Sequence, residues 1–289
     1  MPAREPPEVL GEERGRLAAP APPISVDEVA RRAAELAEHG PPRDRLDRLA
    51  GSEPIIRVDG LVAGYGRMEI LHGLDLRVGR GQALCLIGPN GAGKSTVLHS
   101  IYGFTHVAAG RIEVKGRDVT RLAPEEKLRT AGLAYVLQED SVFPEMTVEE
   151  NLWLGGYLLD VREAKARAEV VFEKQDRLRE RRRERAGRLS GGERRLLEIS
   201  RALIMDPDVL LVDEPSIGLE PRFIAMVFEE LHRLRHDEGK TILLVEQNAK
   251  KGLEFADVGY LLVSGRLALA GTGEELLHDD EVGRLFLGG

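Results

Sequence analysis

The stretch "CLIGPNGAGKST", Cys85 to Thr96, joins a short apolar run to a glycine-rich loop that closes on Lys94, Ser95 and Thr96. Glycines at 88, 91 and 93 allow backbone N–H groups to turn inward, and the loop opens directly into a helix-forming run, where unpaired N–H groups and the helix dipole favour an anion. The residues Gly88, Pro89, Asn90, Gly91, Ala92, Gly93, Lys94, Ser95 and Thr96 are therefore read as a cradle for nucleotide phosphates. Lys94 would bring a fixed positive charge to the β- and γ-phosphates of ATP, and the Ser95 hydroxyl would reach Mg²⁺. A strand, a phosphate loop and a helix in that order belong to an α/β fold with a mainly parallel sheet.

A second stretch, "VLLVDEPS" from 209 to 216, supplies what such a loop needs opposite it. Its apolar run ends in two adjacent carboxylates, and in a parallel sheet ligands bind beyond the carboxyl ends of the strands. Asp213 would hold Mg²⁺ through water, and Glu214, facing the other way, would act as general base on the attacking water. A third apolar run, "TILLVEQNA" from 241 to 249, ends in Glu246, Gln247 and Asn248, and so delivers polar groups to the same edge.

The 289 residues, 42% of them hydrophobic, suffice for a large core, and no apolar run approaches the roughly 20 residues of a membrane span. The opening "MPAREPPEVLGEERG" is charged and lacks the apolar centre of a signal peptide, which points to the cytoplasm. The single cysteine, Cys85, excludes an internal disulfide, and its apolar neighbours predict a buried core residue. A net charge of −8 speaks against a general nucleic-acid binder. The run "RLRERRRERAGR", 177 to 188, carries seven Arg and two Glu without aromatic residues and is read as a solvated helix face. The histidines show no metal-ligand spacing.

Residues 1–54 hold nine of the fifteen prolines and read as a disordered tail rich in Pro, Ala, Arg and Glu. Within it "SVDEVARRAAELAEHGPP" predicts one short helix, with Ser25 and Glu28 as a capping box and Val26, Val29, Ala33 and Leu36 as an apolar stripe. Residues 55–289 form the domain proper. Alternation around Lys115-Gly116 predicts an antiparallel hairpin appended to the parallel sheet, and residues from about 145 to 189 read as a helical insertion.

"RLSGGERRLLEISRAL" follows that insertion, and its "LSGGE", 189 to 193, resembles the signature of ABC-type ATPases. Ser190, Gly191 and Gly192 sit at a helix N-terminus suited to a phosphate. The resemblance implies that this phosphate belongs to ATP on a second ATPase subunit, so two such domains must meet. It also implies a P-loop fold of ABC type with an antiparallel β subdomain, adenine stacking on Tyr65, and Gln138 as the glutamine that senses Mg²⁺ and the γ-phosphate. "PSIGLEP" would then be the loop crossing between paired subunits.

Most of that family carries a histidine where this chain has Gln247. "LLVEQNA", "MTVEENLWLGGY", "DEPSIGLEP" and the terminal "LFLGG" are similar to one branch, the LivF-like ATP-binding subunits of branched-chain amino-acid importers, which carry glutamine there. A glutamine can hydrogen-bond the γ-phosphate and Glu214 but cannot hold a proton near neutral pH. The branch implies ATP-driven import with membrane permease subunits docked on the surface around Phe143 to Glu145 and the helical insertion, a second ATPase subunit that is a different chain or a second copy of this one, an extracellular binding protein contacted only indirectly, and a peripheral place on the inner membrane face. Urea-type import and a non-transport ABC ATPase are the alternatives left by the sequence.

Overall fold

The computed structural model describes residues 31–32, 35, 37–38, 40–138 and 141–286. Its strands form two sheets. β1 (Pro54–Tyr65), β2 (Met68–Gly79), β4 (His106–Val114) and β5 (Arg117–Asp118) make an antiparallel sheet in the order β2-β1-β4-β5. β3 (Ala83–Ile87), β6 (Leu133–Val136), β7 (Val209–Asp213), β8 (Thr241–Val245), β9 (Val258–Val263) and β10 (Arg266–Thr272) make the larger sheet in the order β10-β9-β3-β8-β7-β6. All its pairs are parallel except β9 with β10.

β3, β7 and β8 are buried along their whole length, which is why each reads as a continuous rather than alternating apolar run. Each fully buried Leu, Val or Ile of these strands contributes roughly 1.5–3 kcal/mol. Cys85 lies in this layer, fully buried, and burial pushes its thiol pKa far up. The hairpin around Lys115 and Gly116 exists, with both residues at positive φ (53° and 72°), as a two-residue hairpin loop requires. It belongs to the antiparallel sheet, not the parallel one, because β4 pairs with β1 over Asp59 to Ile56.

The helical insertion comprises Val148–Gly155, Val161–Lys174 and Asp176–Glu180, closed around Leu152, Phe172, Leu178 and Leu197. The arginine run is α-helical only to Glu180, with a single 3-10 turn at Ala186–Arg188. Beyond it the guanidinium groups turn toward acids of other segments: Arg182 to Glu149 (2.9 Å) and Glu169 (2.8 Å), Arg181 to Glu193 (3.0 Å), Arg185 to Glu145 (2.9 Å). The run is solvated, as its composition predicts, with Arg177, Arg179, Arg183, Arg185 and Arg188 exposed, but it is α-helical only in part, and Arg181 and Arg182 also tie it to other segments.

The capping box Ser25/Glu28 and the stripe Val26, Val29, Ala33 and Leu36 lie outside the described residues. The packed body nevertheless begins before residue 55. Arg43–Ala50 is a helix, and Leu46 on it is fully buried among Ile56, Leu76 and Val78. Arg45 Nε donates to the Ala270 carbonyl (2.7 Å), Gln82 Nε2 to the Leu49 carbonyl (2.9 Å), and the buried Arg77 donates to Asp47 (3.0 Å) and pairs with Asp59. Composition averaged over 54 residues conceals this eight-residue amphipathic segment, "RDRLDRLA". No helix is long and apolar enough to cross a membrane among the described residues.

Candidate functional site

The parallel register sets the site. Leu86 stands beside Val245, Val245 beside Asp213 and Val136 beside Val212, so β3, β8, β7 and β6 end at one edge and their following residues emerge there together.

After β3 the loop turns at Gly88 (φ 145°), and a side chain there would place its Cβ 2.1 Å from the Leu262 carbonyl oxygen. Gly93 (φ 98°) precedes the helix Lys94–Tyr102 in a left-handed conformation that glycine adopts without penalty. Gly265 N–H fastens the loop by donating to the Ala92 carbonyl (2.9 Å). The Lys94 ammonium, largely buried, donates to the Gly88 (2.9 Å) and Pro89 (3.1 Å) carbonyls. Burial draws its pKa down, while Glu214 and Asp213 oppose that fall. Lysine, loop and first helical turn form an anion cradle.

Ser95 Oγ donates to Asp213 Oδ1 at 3.0 Å, which brings the predicted hydroxyl and carboxylate together. The second Asp213 oxygen accepts from the Tyr135 hydroxyl at 2.9 Å. Tyr135 was not singled out in the sequence; only its place in "AYVLQ", three residues before Gln138 and on the strand beside β7, signals it. Glu214 follows with φ of 43°, a left-handed conformation uncommon outside glycine, and its N–H is fixed by the Val245 carbonyl (2.9 Å). The turn separates its carboxylate from that of Asp213, and Gln138 Nε2 donates to Glu214 Oε2 at 3.0 Å. Burial raises the Glu214 pKa, helped by the Asp213 charge, opposed by Lys94 and aided again by Glu246. A carboxylate raised in this way is suited to accept a proton from water.

Gln138 is itself held from behind. Arg195 donates to the carbonyls of Leu137 (2.8 Å) and Gln138 (2.6 Å) and pairs with Glu198 at 2.8 Å, both side chains being buried; Glu198 in turn accepts from the Ser141 N–H (3.0 Å). These two residues sit in "SGGERRLLEIS", where they read as ordinary helix surface. The same helix, Gly191–Leu203, starts at Ser190, whose hydroxyl and N–H both bond Glu193 in a capping box. A Cβ on Gly192 would lie 2.4 Å from the Phe223 ring, so this glycine also permits the helix to pack on Pro221–His236.

Tyr65 ends β1, is 44% exposed, and its hydroxyl bonds His99 Nδ1 on the helix that follows the phosphate loop. The partly exposed aromatic ring is of a kind suited to stacking on a base. Gln247 is exposed and its side chain makes no hydrogen bond among the described residues; the amide on Glu214 comes from Gln138. Its neighbour Glu246 is buried, accepting from Ser216 Oγ (2.8 Å) and from Asn248 N–H (2.9 Å).

A phosphate loop, a paired aspartate and glutamate at the end of a parallel strand one place removed in the same sheet, a glutamine on the glutamate and a capped signature helix define an ATP-binding cassette, an ATPase of the P-loop class. The pattern that defines the ABC transporter family matches residues 71–217, and the chain belongs to that family. It is 41% identical over 234 residues to a probable branched-chain amino acid transport ATP-binding protein LivF of Archaeoglobus fulgidus, covering 81% of this chain and 99% of that one. It is 40% identical over 235 residues to the high-affinity branched-chain amino acid transport ATP-binding protein BraG of Pseudomonas aeruginosa, covering 81% and 100%. Among solved structures it is similar to an ATP-binding cassette of an ABC transporter in its ADP conformation (TM-score 0.72, 30% identity, 82% and 100% covered). The chain is thus an ABC ATPase, a nucleotide-hydrolysing subunit of the kind that works with permease subunits.

Proposed function

We propose that this chain is the energy-coupling subunit of an importer for branched-chain or other hydrophobic amino acids. The observation that carries the reading is similarity at 40–41% identity to two proteins named for that transport, along almost their whole length. The glutamine at position 247, the feature by which the sequence resembles the LivF-like branch, supports it.

In this reading the loop Gly88–Thr96 holds the phosphates, Lys94 balances their charge and Tyr65 stacks on adenine. Glu214 accepts the proton of the attacking water, with Gln138 orienting its carboxylate. Gln247 positions the γ-phosphate by neutral hydrogen bonding. The oxygen donors of Ser95 and Asp213, already 3.0 Å apart, suit a hard cation, and Mg²⁺ held there with Gln138 nearby would neutralise phosphate charge. Ser190, Gly191 and Gly192 serve the nucleotide of a second ATPase subunit, a different polypeptide in the working transporter, and Ile217 to Leu219 meet that partner. The chain then lies on the inner face of the membrane through its permease partners, and the solute-binding protein outside is reached only through them.

A groove of about 470 Å³ beside Gln138 is where we place the permease contact. Leu137, Phe143, Leu154 and Tyr157 line it and are 38%, 50%, 38% and 61% exposed, an apolar surface that asks for a cover. Asn151, fully buried, shapes its rim by bonding both the N–H (2.7 Å) and the carbonyl (3.0 Å) of Phe143.

The test is purification of the tagged chain from membranes, identification of its partners and reconstitution in vesicles. Two membrane permeases, a second ATPase chain and ATP-dependent leucine uptake are expected. ATP-dependent uptake of urea instead, or recovery on DNA or ribosomes without membrane partners, would overturn the reading.

A further inference from the structure

Glu246 has an unusual place for an ionisable residue. It is 2% exposed, directly follows the fully buried strand β8, and lies against the helix Ala249–Phe255, whose Gly252 allows the approach. A Cβ at Gly252 would stand 3.1 Å from Glu246 Cβ and 2.5 Å from the sulfur of Cys85. One carboxylate oxygen, Oε1, accepts two hydrogen bonds, from Ser216 Oγ at 2.8 Å and from Asn248 N–H at 2.9 Å. The other, Oε2, is buried with no hydrogen-bond partner. Burying a carboxylate with half its acceptor capacity unused is costly, and an apolar or hydroxyl side chain would fill the same space at lower cost.

The two bonds to Oε1 join segments far apart in sequence. Ser216 stands two residues after Glu214 and opens the exposed turn through Ile217 and Gly218 (φ 69°). Asn248 flanks Gln247 on the other side, and its own Oδ1 caps the helix Ala249–Phe255 by accepting from Lys251 N–H (3.1 Å). The backbone adds a third tie, since Glu214 N–H donates to the Val245 carbonyl. Gln247 thus projects from a segment whose two neighbours are fixed, one of them to the turn that follows the general base.

We propose that Glu246 is a positioning residue that locks the Ser216–Leu219 turn to the segment bearing Gln247, so that a partner pressing on the turn sets the place of Gln247. This rests on the roles given above to Gln247 and to that turn. The buried charge strengthens the Ser216 bond, because a hydrogen bond to an ionised acceptor is about twice as strong as a neutral one. The cost of the charge is then offset by the stiffness of the link.

The test is a double-mutant cycle on the full-length chain in the complex purified with its partners, read as steady-state hydrolysis of Mg²⁺-ATP together with ATP affinity and thermal midpoint. Ser216→Ala and Glu246→Met each remove the link, Ser216→Ala without touching the buried packing. Each is expected to lower kcat about 10-fold, the scale of one lost hydrogen bond to a charged group, with KM for ATP changed by less than about 2-fold. The double variant should be no slower than Glu246→Met alone, since both act through one bond. Glu246→Gln, whose amide oxygen accepts the same two bonds without the charge, should fall between wild type and Glu246→Met, losing about 3-fold. Wild-type kcat in Ser216→Ala, or losses that multiply in the double variant, would overturn the proposal. A failure of the nucleotide site itself is distinguishable, because it weakens ATP binding in the same proteins.

Discussion

Replacing Leu46 by alanine tests whether the helix ahead of β1 is part of the folded unit. Leu46 is fully buried, held between the antiparallel sheet and the short helix that carries it. Removing three buried carbon atoms from such a site costs about 2–5 kcal/mol, the upper part of the range applying where surroundings cannot collapse. Here they are constrained, because Arg45 is bonded to the Ala270 carbonyl and Asp47 to the buried Arg77. For a domain of this size each kcal/mol lowers the midpoint by about 2–4 °C, so Leu46→Ala should melt roughly 4–20 °C below wild type. Circular dichroism melts of both proteins, with ATP affinity measured alongside, decide it; affinity should be unchanged, since the helix touches none of the phosphate loop. A midpoint within about 2 °C of wild type would show that residues 43–50 contribute no cooperative packing, and would restore the boundary at residue 55 that composition suggests.

Glu214→Gln should keep ATP affinity while turnover falls at least about 100-fold, because the amide preserves shape and removes the base; near-normal hydrolysis in that variant would sink the assignment. Gln247→Ala should cost about 1–3 kcal/mol of transition-state stabilisation, and Gln247→His should recover much of the rate with a new pH dependence near neutrality, as steady-state rates from about pH 6 to 9 would reveal. Lys127 is fully buried on the Ile101 carbonyl (2.8 Å), and burial alone lowers its pKa to about 8. Its folded value lies below the unfolded one, so the unfolded chain binds the extra proton between those values and stability from this group rises with pH from about 8 to 10. Melting Lys127→Met beside wild type across that window should show wild type gaining relative to the variant, and parallel curves would contradict the buried charge.

The phosphate loop, the two carboxylates and the signature were legible because each chemical task is packed into a few consecutive residues. A backbone that must turn inward needs glycines at short spacing, and a strand that delivers acids shows an apolar run ending in acids. Tyr135, Arg195, Glu198 and Glu246 were not legible, although they hold Asp213, Gln138 and the Gln247 segment in place. Their partners lie 78, 58 and 57 positions away for Tyr135, Arg195 and Glu198, and nothing local in "YVLQ" or "ERRLLEIS" records such a pairing. The arginine run was legible as solvated but not in its pairings: Arg182 and Arg185 meet Glu149, Glu169 and Glu145 on other segments.

What couples these pieces is the sheet, which acts as a ruler. Asp213 pairs with Val245, so Glu214 and Glu246 leave adjacent strands at the same height, and the Glu214 N–H to Val245 carbonyl bond carries that height past the end of the ladder. From there the two chains diverge, and a side chain must span the gap if their loops are to stay in step. Glu246 reaches Ser216 across it, while Gln138, leaving β6 on the far side of β7, reaches Glu214. Glu214 is therefore flanked by two polar bridges, one running through Gln138 to Arg195 on the helix Gly191–Leu203, the other through Ser216 to Glu246 and the Gln247 segment. A permease acting on the groove beside Gln138 and a second ATPase acting on the turn after Ser216 would thus reach Glu214 by separate routes. Severing one bridge should leave the response to the other partner intact, which stimulation of Gln138→Ala and Ser216→Ala by each partner in turn would show.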